Sequence, residues 1–325
     1  GIPTATDIAF AVGILSILGD RVPVSLKVFL TALAIADDLI AILVVALFYG
    51  GTINFGLLAI AFVLIALVLL MNKLGEKRGW FYLVPAIAIW SLFYYAGIHS
   101  TMSGVVMAFL VPMTPRFNEA YFHRKRLQYI RRLNEYNGIA STSSEFPNGP
   151  QRHCLRRLSA ISRDSIGMSY RLEHALGPWV NFLIMPIFAL ANAGVEIPDV
   201  SYFNVFQFDQ VLGSVSMGIF LGLVLGKPLG ISLASFIAVK LHVGEMPAKS
   251  SWPMLIAVAC LGGIGFTMSI FVDTLSFGDQ TPEVMARLRD MGKVAVLMGS
   301  LCAGILGSVL INIIHGIESR KAVKA

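Results

Sequence analysis

The chain has 325 residues, of which 56% are hydrophobic and 14% charged, with a mean hydropathy of +0.74; this is too apolar for a water-solvated surface and implies an all-α polytopic membrane protein. A net charge of +6 would suit nucleic acid, but the Lys and Arg residues fall between apolar blocks rather than on one face. Anionic lipid is therefore the expected partner, and nucleic acid is not. Cys154, Cys260 and Cys302 have no paired spacing, which supports neither a disulfide framework nor a zinc site, and they read as packing residues.

Nine apolar segments are expected to cross the bilayer as helices, at about 2–18, 24–49, 55–71, 81–95, 97–111, 179–193, 211–239, 254–274 and 294–314. Most hold enough residues to cover roughly 30 Å of hydrocarbon in about 20 helical residues, and the fifth and sixth are short. The first begins at Gly1-Ile2-Pro3 with no basic stretch ahead of it, unlike a signal peptide. The sequence is expected to begin inside a larger protein. Pro3-Thr4-Ala5-Thr6-Asp7 then places hydroxyls and a carboxylate within that span.

The second span carries Asp37-Asp38 between the apolar runs 28–36 and 39–48. A charge at a membrane helix centre costs at least about 2.5–3.5 kcal/mol, so the doublet reads as a functional pathway rather than a helix end at the interface. Adjacent helix positions point about 100° apart, which lets one carboxylate face an ion path while the other meets a neighbouring helix. Close carboxylates away from water put protons and small cations in competition for the same oxygens. Such hard oxygen ligands suit sodium or lithium.

Between the fifth and sixth spans, residues 113–177 form a long basic segment with a polar run at 141–150. It reads as a cytoplasmic linker lying on anionic headgroups, with a regulatory domain as the alternative. The chain then divides into 1–112 with the aspartates, this loop at 113–177, and a second membrane block at 178–325.

The seventh span holds Lys227 in Gly226-Lys227-Pro228-Leu229-Gly230. Its ammonium needs an anionic partner unless it snorkels to the interface. The eighth holds Gly262-Gly263-Ile264-Gly265-Phe266-Thr267. This run lacks the Gly-Lys-Ser/Thr of a phosphate loop, and close helix packing is the plain alternative to an interrupted helix. Interrupted spans in corresponding halves, here those around Thr6 and Gly265, point to a transporter site at mid-membrane.

When the connections are put on alternate sides, every Lys and Arg of the connections other than Arg287, Arg289 and Lys293 falls on one side, and those three fall on the other with Glu196, Asp199, Asp209, Asp279 and Glu283. The basic side is expected to be cytoplasmic, with the first residue outside and the C-terminus inside.

Thr6-Asp7-Ile8-Ala9-Phe10-Ala11, Ala34-Ile35-Ala36-Asp37-Asp38-Leu39, Gly226-Lys227-Pro228-Leu229-Gly230 and Gly262-Gly263-Ile264-Gly265-Phe266-Thr267-Met268-Ser269-Ile270-Phe271 together resemble the NhaA-type sodium/proton antiporters. The resemblance implies an inverted-repeat transporter in the bacterial inner membrane in which two helices, those around Thr6 and Gly265, are unwound and cross. It implies that Asp38, assisted by Asp37 and Thr6, binds transported Na+ or Li+ and protons in turn. Lys227 would pair with Asp37, and Asp7 and Lys227 would offset the half-helix dipoles. Arg171-Leu172-Glu173-His174 matches the family's pH-responsive cluster, although a further histidine seen in some members falls at Gly177; His99 matches another position linked to pH response. The family has twelve spans, and this chain begins at what resembles the fourth. No cofactor and no enzymatic activity are implied, and a homodimer is compatible with the family.

Two other readings compete. An intramembrane aspartyl protease needs Gly-x-Gly-Asp, which Ile17-Leu18-Gly19-Asp20 does not supply. A passive cation channel would need an open pore, which broken helices do not favour.

Overall fold

In the computed structural model the described residues are 1–48, 53–76, 78–115, 117–139, 147–192, 194, 210–276 and 282–324. Glu196, Asp199, Asp209, Asp279 and part of the polar run, 141–146, lie outside them. Among the described residues the secondary structure is helical throughout. The chain separates into two compact units, residues 1–50 with 183–325, and residues 51–182.

The first unit opens with a one-turn helix, Ile2–Thr4, and α1 (Ile8–Ile17), separated by a short extended break. It continues with α2 (Val24–Phe48) and, after the second unit, with α9 (Met185–Asn192), α10 (Gln210–Leu221), α11 (Lys227–Lys240), α12 (Trp252–Leu261), α13 (Phe266–Ser276) and α14 (Pro282–Lys324). Ser251 caps α12 by accepting from the Met254 amide, with Pro253 in the first turn, both ordinary helix-start signals. A core of Leu15, Leu26, Leu30, Leu255, Val258, Leu261 and Ile311 ties α1, α2, α12 and α14 together. A second cluster, including Val45, Leu223, Ile270 and Val296, joins α2 and α13 to the 222–226 turn and α14.

The Lys227 span is continuous despite Pro228. Its two helices join through a wide π turn, Gly222–Gly226, which accommodates Pro228 and its missing N–H just inside α11. The eighth span is broken, with α12 and α13 meeting at 52° across Gly262–Gly265.

The second unit contains α3 (Phe55–Lys73), α4 (Trp80–Tyr95), α5 (Thr101–Leu110), α6 (Glu119–Ile139), α7 (Gly149–Asp164) and α8 (Met168–Trp179). Its apolar core includes Ala61, Val68, Tyr82, Ile89, Phe93, Met107 and Met168. The segment expected as a linker instead forms two helices, α6 and α7, that pack on each other. A capping box between Asn148 and Gln151 starts α7. Behind it Gln151, Cys154, Leu155, Leu158 and Ile161 turn inward at helical spacing while the arginines turn out.

Among the described residues five helices are long and apolar enough to span a membrane: Val24–Ala46, Phe55–Lys73, Met168–Asn192, Val215–Lys240 and Ala286–Arg320; the bent pair α12 and α13 makes a sixth. The other three expected spans correspond to shorter apolar helices, Ile2–Ile17, Trp80–Tyr95 and Thr101–Leu110. The sixth expected span is not short. It runs back to Met168, inside the segment assigned to the loop, because Met168 and Leu172 pack on the second unit's core, while a π turn at Val180–Ile184 follows Pro178 and keeps the helix going. The chain is thus a multi-pass helical membrane protein.

Candidate functional site: a crossing of two broken helices

The two breaks of the first unit touch. The Asp7 amide donates to the Ile264 carbonyl at 2.6 Å, so non-helical backbone from one span hydrogen-bonds non-helical backbone from the other. Glycine makes this approach possible. A Cβ at Gly263 would stand 2.2 Å from the Leu223 carbonyl oxygen, and one at Gly265 would stand 3.1 Å from that of Ala5. The glycine run therefore sits where backbones meet, which also explains why no side chain fills these positions.

Breaking a helix leaves unpaired amides at one end and unpaired carbonyls at the other. Asp7, fully buried, serves both amide ends. Its Oδ1 accepts from the Phe10 amide at the start of α1 at 3.2 Å. Its Oδ2 accepts from the Thr267 amide at 3.1 Å and from the Thr267 hydroxyl at 2.5 Å at the start of α13. One carboxylate thus faces two positive helix ends, an arrangement that stabilises both the charge and the break.

The carbonyl end of α12 is met from the other direction. The Thr6 hydroxyl lies 3.1 Å from the Gly262 carbonyl and 3.0 Å from Asp37 Oδ2, and its single proton can serve one of them at a time. Lys227 Nζ donates to the Thr6 hydroxyl and lies 3.0 Å from Asp37 Oδ2, with side-chain exposures of 10% for the lysine and 22% for the aspartate. Lys227 therefore makes a largely buried ion pair and does not snorkel. Its charge is held near the negative end of α12.

Asp38 completes the cluster. Its charged neighbours are Lys227, Asp7 and Asp37, and its buried Oδ1 has no hydrogen-bond partner among the described residues. Two carboxylates, a hydroxyl and a backbone carbonyl are the hard oxygen donors that a small monovalent cation takes, and carboxylates equally take protons. Thr6, Asp7, Asp37, Asp38, Lys227, Gly262, Gly263, Gly265 and Thr267 are thus brought together around one crossing.

The three residues tied to pH response lie in the second unit and are not members of this cluster. Glu173 and His174 are exposed on α8; the His174 ring lies tilted against Tyr170 with centroids 3.9 Å apart, and its Nδ1 lies 3.1 Å from the Tyr170 carbonyl. His99 lies in the turn between α4 and α5, with its Nδ1 3.3 Å from the Thr101 hydroxyl.

Two ionisable residues escape the sequence reading. Asp273 on α13 is fully buried. Lys293, expected in a connection, is buried within α14 and donates to the Gly194 carbonyl at 2.9 Å. The correction arises because α14 begins at Pro282, well before the expected span start at 294. An Asp inside an apolar stretch was the available signal for Asp273, which lies one residue from the expected end of its span.

Comparison with known proteins agrees with the geometry. The family model described as Na+/H+ antiporter 1 matches residues 1–311. The "Na(+)/H(+) antiporter NhaA" of Bacteroides thetaiotaomicron is 38% identical over 98% of this chain and 69% of its own length. Proteins of the same name are 39% identical in Syntrophobacter fumaroxidans, over 94% of this chain and 63% of theirs, and in Oleidesulfovibrio alaskensis, over 99% and 69%. The chain spans about two thirds of the length of these relatives. A match over nearly the whole chain, through the residues of the crossing, means that this protein belongs to the Na+/H+ antiporter 1 family.

Proposed function

We propose that the chain carries the ion-exchange core of a secondary sodium (or lithium)/proton antiporter of the bacterial inner membrane, in which Na+ and H+ compete at Asp38. The observation that carries this reading is the largely buried Asp37–Lys227 pair joined by Thr6 at the crossing of two broken helices, with an unpartnered Asp38 oxygen beside it. Sodium arriving at Asp38, with Asp37 and Thr6 as further oxygen donors, displaces a proton. On the opposite face of the membrane, protons displace sodium. Lys227 holds Asp37 in place between these states, and Asp7 keeps both half-helices capped while neighbouring segments move. Exchange then needs alternating exposure of one site rather than an open pore.

On this reading the nine apolar segments all lie in the membrane as part of an inverted-repeat fold, and the C-terminus and the basic α6–α7 segment are cytoplasmic, against anionic lipid. Glu173, His174 and His99 set the response to pH from the second unit. Proteoliposomes with an inward sodium gradient test the proposal. The protein is expected to drive proton efflux, and the Asp38→Asn variant is not; sodium currents without proton counterflow would point to a channel instead.

A further inference from the structure

Asp273 is the buried ionisable group that the exchange cluster does not use. It is 0% exposed, and neither carboxylate oxygen has a hydrogen-bond partner among the described residues. The space it occupies is made by a glycine on α14, since a Cβ at Gly292 would stand 2.2 Å from Asp273 Oδ1. The carboxyl group is therefore pressed against helix backbone and not left in a polar recess.

Among the described residues its charged surroundings come from one element. Lys293, Arg289 and Asp290, all on α14, are the charged groups that act on it. The other elements packed on α13 are the Ile2–Thr4 turn, α9 and α2. The first two carry no ionisable side chain, and the intramembrane acids of α2, Asp37 and Asp38, belong to the crossing. Lys293 is the larger source of charge compensation, ahead of Arg289, but its ammonium is on the Gly194 carbonyl, and no ion pair with Asp273 forms among the described residues. A buried carboxylate with neither partner nor hydrogen bond would carry the full cost of desolvation, whereas the neutral acid forgoes only ordinary hydrogen bonds.

We propose that Asp273 is a proton-binding site separate from the Thr6–Asp37–Asp38–Lys227 cluster, occupied by a proton in the arrangement seen here, with Lys293 as the cation that meets its carboxylate once that proton has passed to water. Gly292 supports this, because it lets the acid lie flat on α14, the helix that carries Lys293 one residue further on. Proton binding here requires no assumption about sodium exchange.

Infrared spectroscopy of the full purified chain, in the carbonyl-stretch region of protonated carboxylic acids, tests the site. The difference between the unsubstituted protein and Asp273→Asn at neutral pH is expected to contain one protonated-acid band. Lys293→Met, which removes the compensating cation, is expected to move the disappearance of that band to higher pH. A carboxylate band in the Asp273→Asn difference spectrum, in place of the acid band, would overturn the proposal. If the Asp273→Asn chain does not insert, Lys293→Met decides alone: an acid band titrating at higher pH supports the site, and an unmoved titration refutes it. Because the band is read without transport, its absence would leave the antiport reading standing.

Discussion

Lys227→Ala is the perturbation whose outcome the geometry defines most fully. The lysine lies 3.0 Å from Asp37 and also donates to Thr6, so its loss strands a partly buried carboxylate and frees the hydroxyl that orients it. Removing one member of a buried ion pair costs about 3–5 kcal/mol; with Asp37 22% exposed, water recovers part of that, and we expect about 3 kcal/mol. That corresponds to about a hundredfold in the unfolding equilibrium. The assay is reversible denaturation in mixed micelles of the unsubstituted protein, Lys227→Ala, Asp37→Asn and the double variant. Because the loss comes from an uncompensated charge, adding Asp37→Asn to Lys227→Ala should restore most of it, giving a coupling energy of at least about 2 kcal/mol. A Lys227→Ala cost below about 0.5 kcal/mol, or strictly additive single costs, would refute the buried pair.

Three other outcomes follow from the same structure. Asp7→Ala removes caps from both α1 and α13 and should lower stability by about 2–3 kcal/mol on the scale of two helix caps, with Asp7→Asn milder; equal effects of Ala and Asn in a melting assay would contradict the capping role. Gly263→Ala meets the Leu223 carbonyl at 2.2 Å, whereas Gly218→Ala enters open space, so the first should cost about 1–3 kcal/mol by overpacking and the second should be within about 1 kcal/mol of neutral. A cysteine at the exposed Ser162 of α7, in an otherwise cysteine-free chain, should react with an impermeant maleimide in inside-out vesicles and not in intact cells; the reverse pattern would invert the topology.

The crossing was legible because its residues violate their surroundings. Asp37-Asp38 and Lys227 are charges inside apolar runs, and Gly262-Gly263-Ile264-Gly265 interrupts a helix pattern with residues that need a reason to be there. What the sequence could not convey is who meets whom. The bonds from Asp7 to the Thr267 amide and from the Asp7 amide to Ile264 join positions some 260 residues apart, and no local pattern encodes them. Asp273 was lost at a boundary, since a charge close to a span's end is ordinary at an interface, and only the packing of α14 shows it to be enclosed. The α6–α7 pair was lost to averaging. Its arginines dominate the composition, while the helical period of Gln151, Cys154, Leu155, Leu158 and Ile161 involves few enough residues to be overlooked. The π turn ahead of Lys227 is a subtler case: Pro228 signals a disturbance, but backbone geometry decides whether the helix breaks or widens.

The central claim is that one carboxylate serves two cations, and equilibrium binding of radioactive sodium to the purified protein as a function of pH tests it most directly. One-for-one competition at Asp38 predicts that apparent sodium affinity weakens about tenfold for each unit of pH once the site is mostly protonated, and linkage predicts that adding sodium releases protons to an unbuffered solution. Asp38→Asn, which keeps the side chain's size and removes its charge, should abolish both signals in a protein that still inserts. Sodium affinity independent of pH, or sodium-induced proton release persisting in Asp38→Asn, would contradict the account.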